Sequence, residues 1–123
     1  MKRWILAYLM GMTVLLFAEN RVPVMIGGEA EEWACSALGK VRGLDPDGDG
    51  FLAVRRGPGS QYAMIDKLHN GDMATICDER GKWIGIVYGR HCGLETYVAK
   101  RRAYRGPCRS GWVYGKWLRV VGG

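Results

Sequence analysis

Followed for its alternation of apolar and polar positions, the chain divides into one long apolar start and a series of short strand-like pieces. Trp4 to Ala18 is apolar except for Gly11 and Thr13, with Lys2 and Arg3 before it and Glu19-Asn20-Arg21 after it. A charged start followed by about 7–15 apolar residues is the pattern of a secretory signal, whereas a spanning helix needs about 20. The sequence therefore predicts an export signal over residues 1–18, cut after Ala18. A cut after Ala30, with Gly28 at minus three, and an uncleaved N-terminal anchor are the alternatives.

Residues 19–33, with Pro23, Gly27, Gly28, Glu29, Glu31 and Glu32, read as a leader or linker. The domain is expected over residues 34–123. A first strand fits Ala34 to Val41, broken by Gly39, and Asp45 to Gly50 is turn chemistry. Leu52 to Val54 is a short strand ended by Arg55-Arg56-Gly57-Pro58-Gly59, and the apolar pattern resumes at Met64, Ile65 and Leu68. Asn70-Gly71 is a strong hairpin signal, because both central positions of that turn favour positive φ. Met73 to Cys77 alternates, Glu79 to Lys82 turns the chain, and Trp83 to Tyr88 carries the β-branched and aromatic residues that suit a pleated surface. Gly111 to Val121 has the same character. Five or six short strands, with no helical period after residue 18, predict an all-β barrel or sandwich.

Composition adds constraints of its own. At 123 residues the chain has room for one domain, and its 48% hydrophobic content argues against wholesale disorder. The net charge is +6, concentrated after residue 50, where thirteen bases face five acids. Such an excess favours an anionic partner or solubility and says nothing about fold. Cys35, Cys77, Cys92 and Cys108 make an even count, which in a small exported chain implies two disulfides. Three pairings are open. Tying Cys92 to Cys108 would close a segment with no apolar pattern and contribute about 3 kcal/mol, which favours that pair together with Cys35–Cys77. The competing zinc site from Cys77, His91, Cys92 and Cys108 lacks the close paired spacing of structural zinc.

Catalytic chemistry finds little support, and the chain is not expected to be an enzyme or to need a cofactor. His69 and His91 are the two histidines, and Ser36, Ser60 and Ser110 lack a nucleophile elbow. Asp66, Asp72, Asp78 and Glu79 lie at turns and strand ends, where a solvated charge is the default. Asp45, Asp47 and Asp49 copy the opening of a calcium loop, but its twelfth position is Arg56 rather than a bidentate glutamate. Lys100, Arg101, Arg102, Arg105 and Arg109 crowd one stretch without an acid between them. Export makes nucleic acid an improbable partner, so this stretch is expected to meet anionic polymers or lipid surfaces if it binds anything.

Phe51-Leu52-Ala53-Val54-Arg55-Arg56-Gly57-Pro58-Gly59, with Tyr62 after it, resembles the opening signature of bacterial SH3-like (SH3b) domains. Ile65 to Leu68, Asn70-Gly71-Asp72 and Ala74-Thr75-Ile76 are similar to that family's next segment. Gly81-Lys82-Trp83-Ile84-Gly85-Ile86 is similar to its "Gly-x-Trp-x-x-Val", and Gly111-Trp112-Val113 through Trp117-Leu118 to its closing motif, with tryptophan in place of tyrosine. Residues 89–110 depart from the pattern as a long basic insertion. The resemblance implies a five- or six-stranded SH3-like barrel and a secreted or periplasmic, non-catalytic binding module for peptidoglycan or an envelope peptide or protein. Trp83 and Trp117 match its groove positions, and Tyr62, Tyr88 and Tyr114 are the further ligand-binding candidates. Trp112 is expected in the core. A small accessory protein docking through its basic loop is the alternative.

Overall fold

Trp83–Tyr88 and Arg109–Tyr114 pair side by side in the interior of the sheet, because their central residues are buried and need cover on both faces. The computed structural model describes residues 20–28, 33–35 and 37–123; the expected export signal lies outside the described residues. The strands are β1 (Met25–Ile26), β2 (Ala37–Val41), β3 (Leu52–Arg55), β4 (Met64–Leu68), β5 (Met73–Arg80), β6 (Trp83–Tyr88), β7 (Arg102–Ala103), β8 (Arg109–Tyr114) and β9 (Leu118–Gly122). A short 3-10 turn, Gly115–Trp117, separates β8 from β9 within the strand-like segment Gly111 to Val121. Seven strands form one antiparallel sheet in the order β4-β3-β8-β6-β5-β2-β9, and β1 pairs with β7 beside it. The described part of the chain is thus nearly all β. Register shifts in the β2–β9, β3–β4 and β5–β6 pairs mark bulges, which bend and twist the sheet.

Val41, Leu52, Val54, Leu68, Ala74, Ile86 and Val113 make one core. Trp112 and Val87 belong to a second, completed by Val24, Ile26, Ala34, Leu94 and Val98. Strands covered on both faces lose the polar alternate positions of a half-exposed strand, and the middles of β6 and β8 are accordingly buried without interruption. Trp112 is fully buried, and its Nε1–H donates to the Val22 carbonyl at 2.8 Å. The expected leader is therefore corrected in its described part. Residues 22–26 cover the sheet, and their period of two (Val22, Val24, Ile26) is the strand signal that Pro23 and the glycines obscured. Leu94 and Val98 likewise bury the expected patternless insertion.

Asp78 joins these layers. It is the buried charged residue among those described, not the solvated strand-end carboxylate expected. Its oxygens accept from the backbone N–H of Met25 at 3.0 Å, the N–H of Glu79 at 2.8 Å and the Arg101 guanidinium at 2.6 Å. Opposite it, Gly85 is required by close approach, since a Cβ there would fall 2.7 Å from the Asp78 Cβ.

Cys35 is bonded to Cys77 and Cys92 to Cys108, one of the three pairings open from sequence and the one favoured by the loop argument. Both bonds fit an oxidising environment. The Tyr104 hydroxyl donates to the Cys92 carbonyl at 2.7 Å and accepts from the Cys108 N–H at 3.0 Å, so the closed segment carries a polar clasp beside its sulfur bridge.

Two turns behave differently. Gly81-Lys82 joins β5 to β6 with Gly81 at φ 59°, a two-residue hairpin with positive φ at its first central position. The expected Asn70-Gly71 hairpin is corrected. Gly71 has φ 95° while Asn70 has no positive φ, and β4 and β5 are not neighbours in the sheet. The Asn70 side chain instead exchanges two hydrogen bonds with the Leu44 backbone, at 3.1 and 2.9 Å, so the turn braces the 42–50 loop.

Removing a buried, paired carboxylate strands its partners. Asp78→Ala is expected to cost about 3 kcal/mol or more of unfolding free energy. Arg101→Ala should cost less, because two backbone N–H groups still hold the carboxylate and the arginine side chain is 46% exposed. Urea melts of the oxidised proteins measure both, and an unchanged midpoint for Asp78→Ala would contradict this account.

Candidate functional site

Three of the five aromatic candidates meet in one cleft. Trp83 begins β6 and Tyr114 ends β8, and they are direct cross-strand partners. Their rings pack edge to face, 5.6 Å between centres at 66°, an arrangement that the aromatic quadrupole favours. Trp117 comes from the 3-10 turn that follows. The opposite wall is built by Phe51, Leu52, Ala53, Arg55 and Met64, with Asp49 at the rim, enclosing a volume of about 390 Å³.

The sequence reading did not anticipate that wall. Its signal was the alternation in β3, where Leu52 and Val54 point to the core and leave Ala53 and Arg55 partly exposed. One Arg55 guanidinium nitrogen donates to the Tyr62 carbonyl at 3.0 Å, which fixes the arginine against the cleft. Lys67 Nζ lies 4.4 Å from the Phe51 ring centre, and Lys116 Nζ 4.9 Å from that of Trp117. The result is a shallow aromatic wall with polar groups at its edge, suited to packing and orienting a flat ligand.

Tyr62 and Tyr88 lie elsewhere. Tyr62 closes the Gly57-Pro58-Gly59 loop, donating its N–H to the Gly59 carbonyl at 3.2 Å. A Cβ at Gly57 would come within 2.5 Å of its ring, so that glycine makes room for it. Tyr88 is at the opposite end of β6 from Trp83, and its hydroxyl donates to Asp66 at 2.9 Å. Arg109 donates to the same Asp66 oxygen at 3.1 Å.

The basic stretch divides in the same way. Arg101 is committed to Asp78 and Arg109 to Asp66. Lys100, Arg102 and Arg105 are exposed, with Arg102 on β7. The sequence treated all five as one anion-binding group because local spacing does not show which cations have carboxylate partners.

The metal alternatives lose their ligands. Cys77, Cys92 and Cys108 are in disulfides and supply no thiolate for zinc. Asp45 Oδ1 accepts the Asp47 N–H at 2.9 Å, a local turn bond, and among the described residues no three His, Cys, Asp or Glu side chains are gathered to hold an ion. A second hollow of about 820 Å³ lies between the disulfides, lined by Trp33, Leu38, His91 and Leu94 among others. His91 is exposed there and has φ 55°, a conformation uncommon for a residue with a side chain.

Electrostatic perturbation is concentrated away from the cleft. The Lys67 N–H, the Tyr88 hydroxyl and the Arg109 guanidinium together hold the Asp66 carboxyl below its ordinary range. Burial, reinforced by the Asp66 carboxylate, pushes the Tyr88 phenol above its ordinary value. The stability tied to Asp66 is therefore complete above roughly pH 4 and is lost as pH falls through its lowered folded value. The share tied to Tyr88 is complete below roughly pH 10 and is lost as pH rises through its raised folded value. Carboxyl NMR titration should show Asp66 moving back up in Tyr88→Phe, and ultraviolet titration should show Tyr88 ionising earlier in Asp66→Asn. An Asp66 midpoint indifferent to Tyr88→Phe would break the coupling.

No protein-family model, curated protein or solved structure matches the chain significantly, so the cleft is read from its own chemistry.

Proposed function

We propose that the chain is an exported, non-catalytic binding module of the SH3-like class that holds peptidoglycan or an envelope peptide in its aromatic cleft. The observation that carries this reading is the convergence of Trp83, Tyr114 and Trp117, from the start of one strand, the end of another and the turn beyond, on a single cleft. Planar rings stack on sugar faces or pack peptides at low entropic cost, since few torsions have to be fixed. The motifs that resemble the SH3b pattern fall on β3, β4, β5, β6 and the β8–β9 segment, and the bulges in three strand pairs are in keeping with the bent strands of such a domain. The N-terminal apolar run and the two disulfides are in keeping with export. A cleft walled by rings and aliphatic groups, with one carboxylate and one guanidinium at its edge, favours holding a ligand over transforming it.

The test is co-sedimentation with purified cell-wall sacculi. Trp83→Ala and Trp117→Ala, each shown to remain folded by its melt and its intact disulfides, are expected to weaken binding at least about tenfold, the loss typical of an aromatic hot spot. Binding that survives both substitutions would overturn the cleft reading. Binding that instead disappears when Lys100, Arg102 and Arg105 are neutralised would favour docking on anionic surfaces through the basic loop. Arg101 is left intact in that test because it holds Asp78.

A further inference from the structure

The cleft has aromatic walls and a cationic rim. Lys67 pairs in register with Ala53, and directly opposed residues of an antiparallel pair share a face, so Lys67 stands on the side that Ala53 presents to the cleft. Its ammonium lies over Phe51, while that of Lys116 lies over Trp117 at the other wall. Attraction to the ring face holds each amine near the wall without burying its charge. Arg55 adds a third cation, anchored through one nitrogen to the Tyr62 carbonyl. Against these three, Asp49 is the carboxylate that lines the cleft among the described residues.

Two consequences follow for the ligand. A cationic group seeking the Phe51 or Trp117 face would have to displace a lysine already there and would meet the field of the remaining cations. A carboxylate at the rim would find the Arg55 guanidinium and the field of a lysine ammonium held over the neighbouring ring. Resting on the reading of this cleft as the binding site, we propose that its ligand presents a carboxylate beside a flat, weakly polar face. The flat face would lie against the aromatic wall, and the carboxylate would meet Arg55, which lines the cleft, together with the lysine at its own wall, Lys67 or Lys116. Within a cell envelope, that chemistry comes either from an acidic N-acetylated sugar or from the free terminal carboxylate of a peptide.

Four probes separate these sources and test the class. They are N-acetylmuramic acid and its methyl ester, and N-acetyl-alanyl-alanine and its C-terminal amide. Each is titrated into the oxidised, nitrogen-15-labelled protein while the indole N–H signals of Trp83 and Trp117 are followed. At least one acid is expected to shift both signals, with its neutral counterpart binding about fivefold more weakly, and the responding pair identifies the source. Lys67→Gln with Lys116→Gln, both at exposed positions, should reduce the acid's advantage over its neutral form to the part that Arg55 supplies. A neutral form that binds as tightly as its acid, or an acid preference undiminished by the double substitution, overturns the carboxylate assignment while leaving the cleft as a binding site. If no probe shifts the indoles in a protein that still needs Trp83 to bind sacculi, the assignment is overturned for both sources. If sacculi binding does not depend on Trp83 or Trp117, the cleft reading itself fails.

Discussion

A single buried carboxylate holds the layers of this protein together. Asp78 lies where β5 bulges, and its three donors come from its own strand, from β1 and from the insertion that contains β7. A carboxylate without water must have such donors close by, because desolvation of an unpaired charge costs more than the fold can tolerate. The requirement acts in both directions. The sheet needs the outer segments to satisfy Asp78, and Arg101 gives the insertion a charged anchor into the sheet. Gly85 completes the arrangement by leaving the space that the aspartate occupies.

From that anchor the second core becomes possible. Trp112 is the largest fully buried side chain, and its face of the sheet would be open to water without Val24, Ile26, Leu94 and Val98 above it. A tryptophan brings a polar N–H into the interior, and the Val22 carbonyl satisfies it. The disulfides reinforce the same cover, one ahead of β2 and one around the insertion. Tyr104 spans the second loop from within. With Cys92 and Cys108 already held in line by the phenol, oxidation finds its partners brought together by folding. The aromatic cleft lies on strands fixed by this double support, which gives its rings a defined spacing.

Much of the sheet was legible because alternation is a local property. Met64–Leu68 and Trp83–Tyr88 begin and end where the apolar pattern does, and Trp112 reads as core from its strand. The cleft was legible in part: Trp83 and Trp117 stood out through resemblance, whereas Phe51 and Arg55 required the outward phase of β3 to be taken as seriously as its inward phase. Asp78 was not legible. Its donors lie 53 and 23 residues away, and nothing beside it in sequence distinguishes it from a solvated strand-end acid. Asn70-Gly71 misled for a related reason. The dipeptide favours a turn, but whether the flanking strands pair depends on what the asparagine amide finds, and here it finds Leu44. Tyr88 lies apart from Trp83 because its hydroxyl bonds Asp66, a contact between strands that are not neighbours and so not visible in local pattern.

The covering role of residues 22–26 bears on where the expected export signal could be cut. A peptidase that cut after Ala18 would leave the sheet's second face clothed. One that cut after Ala30 would strip away a strand, bare the indole of Trp112 and remove the Met25 donor from Asp78. Were the expected signal removed, maturation and folding would be joined: the position of the scissile bond would decide whether the remaining polypeptide kept this cover or had an open flank.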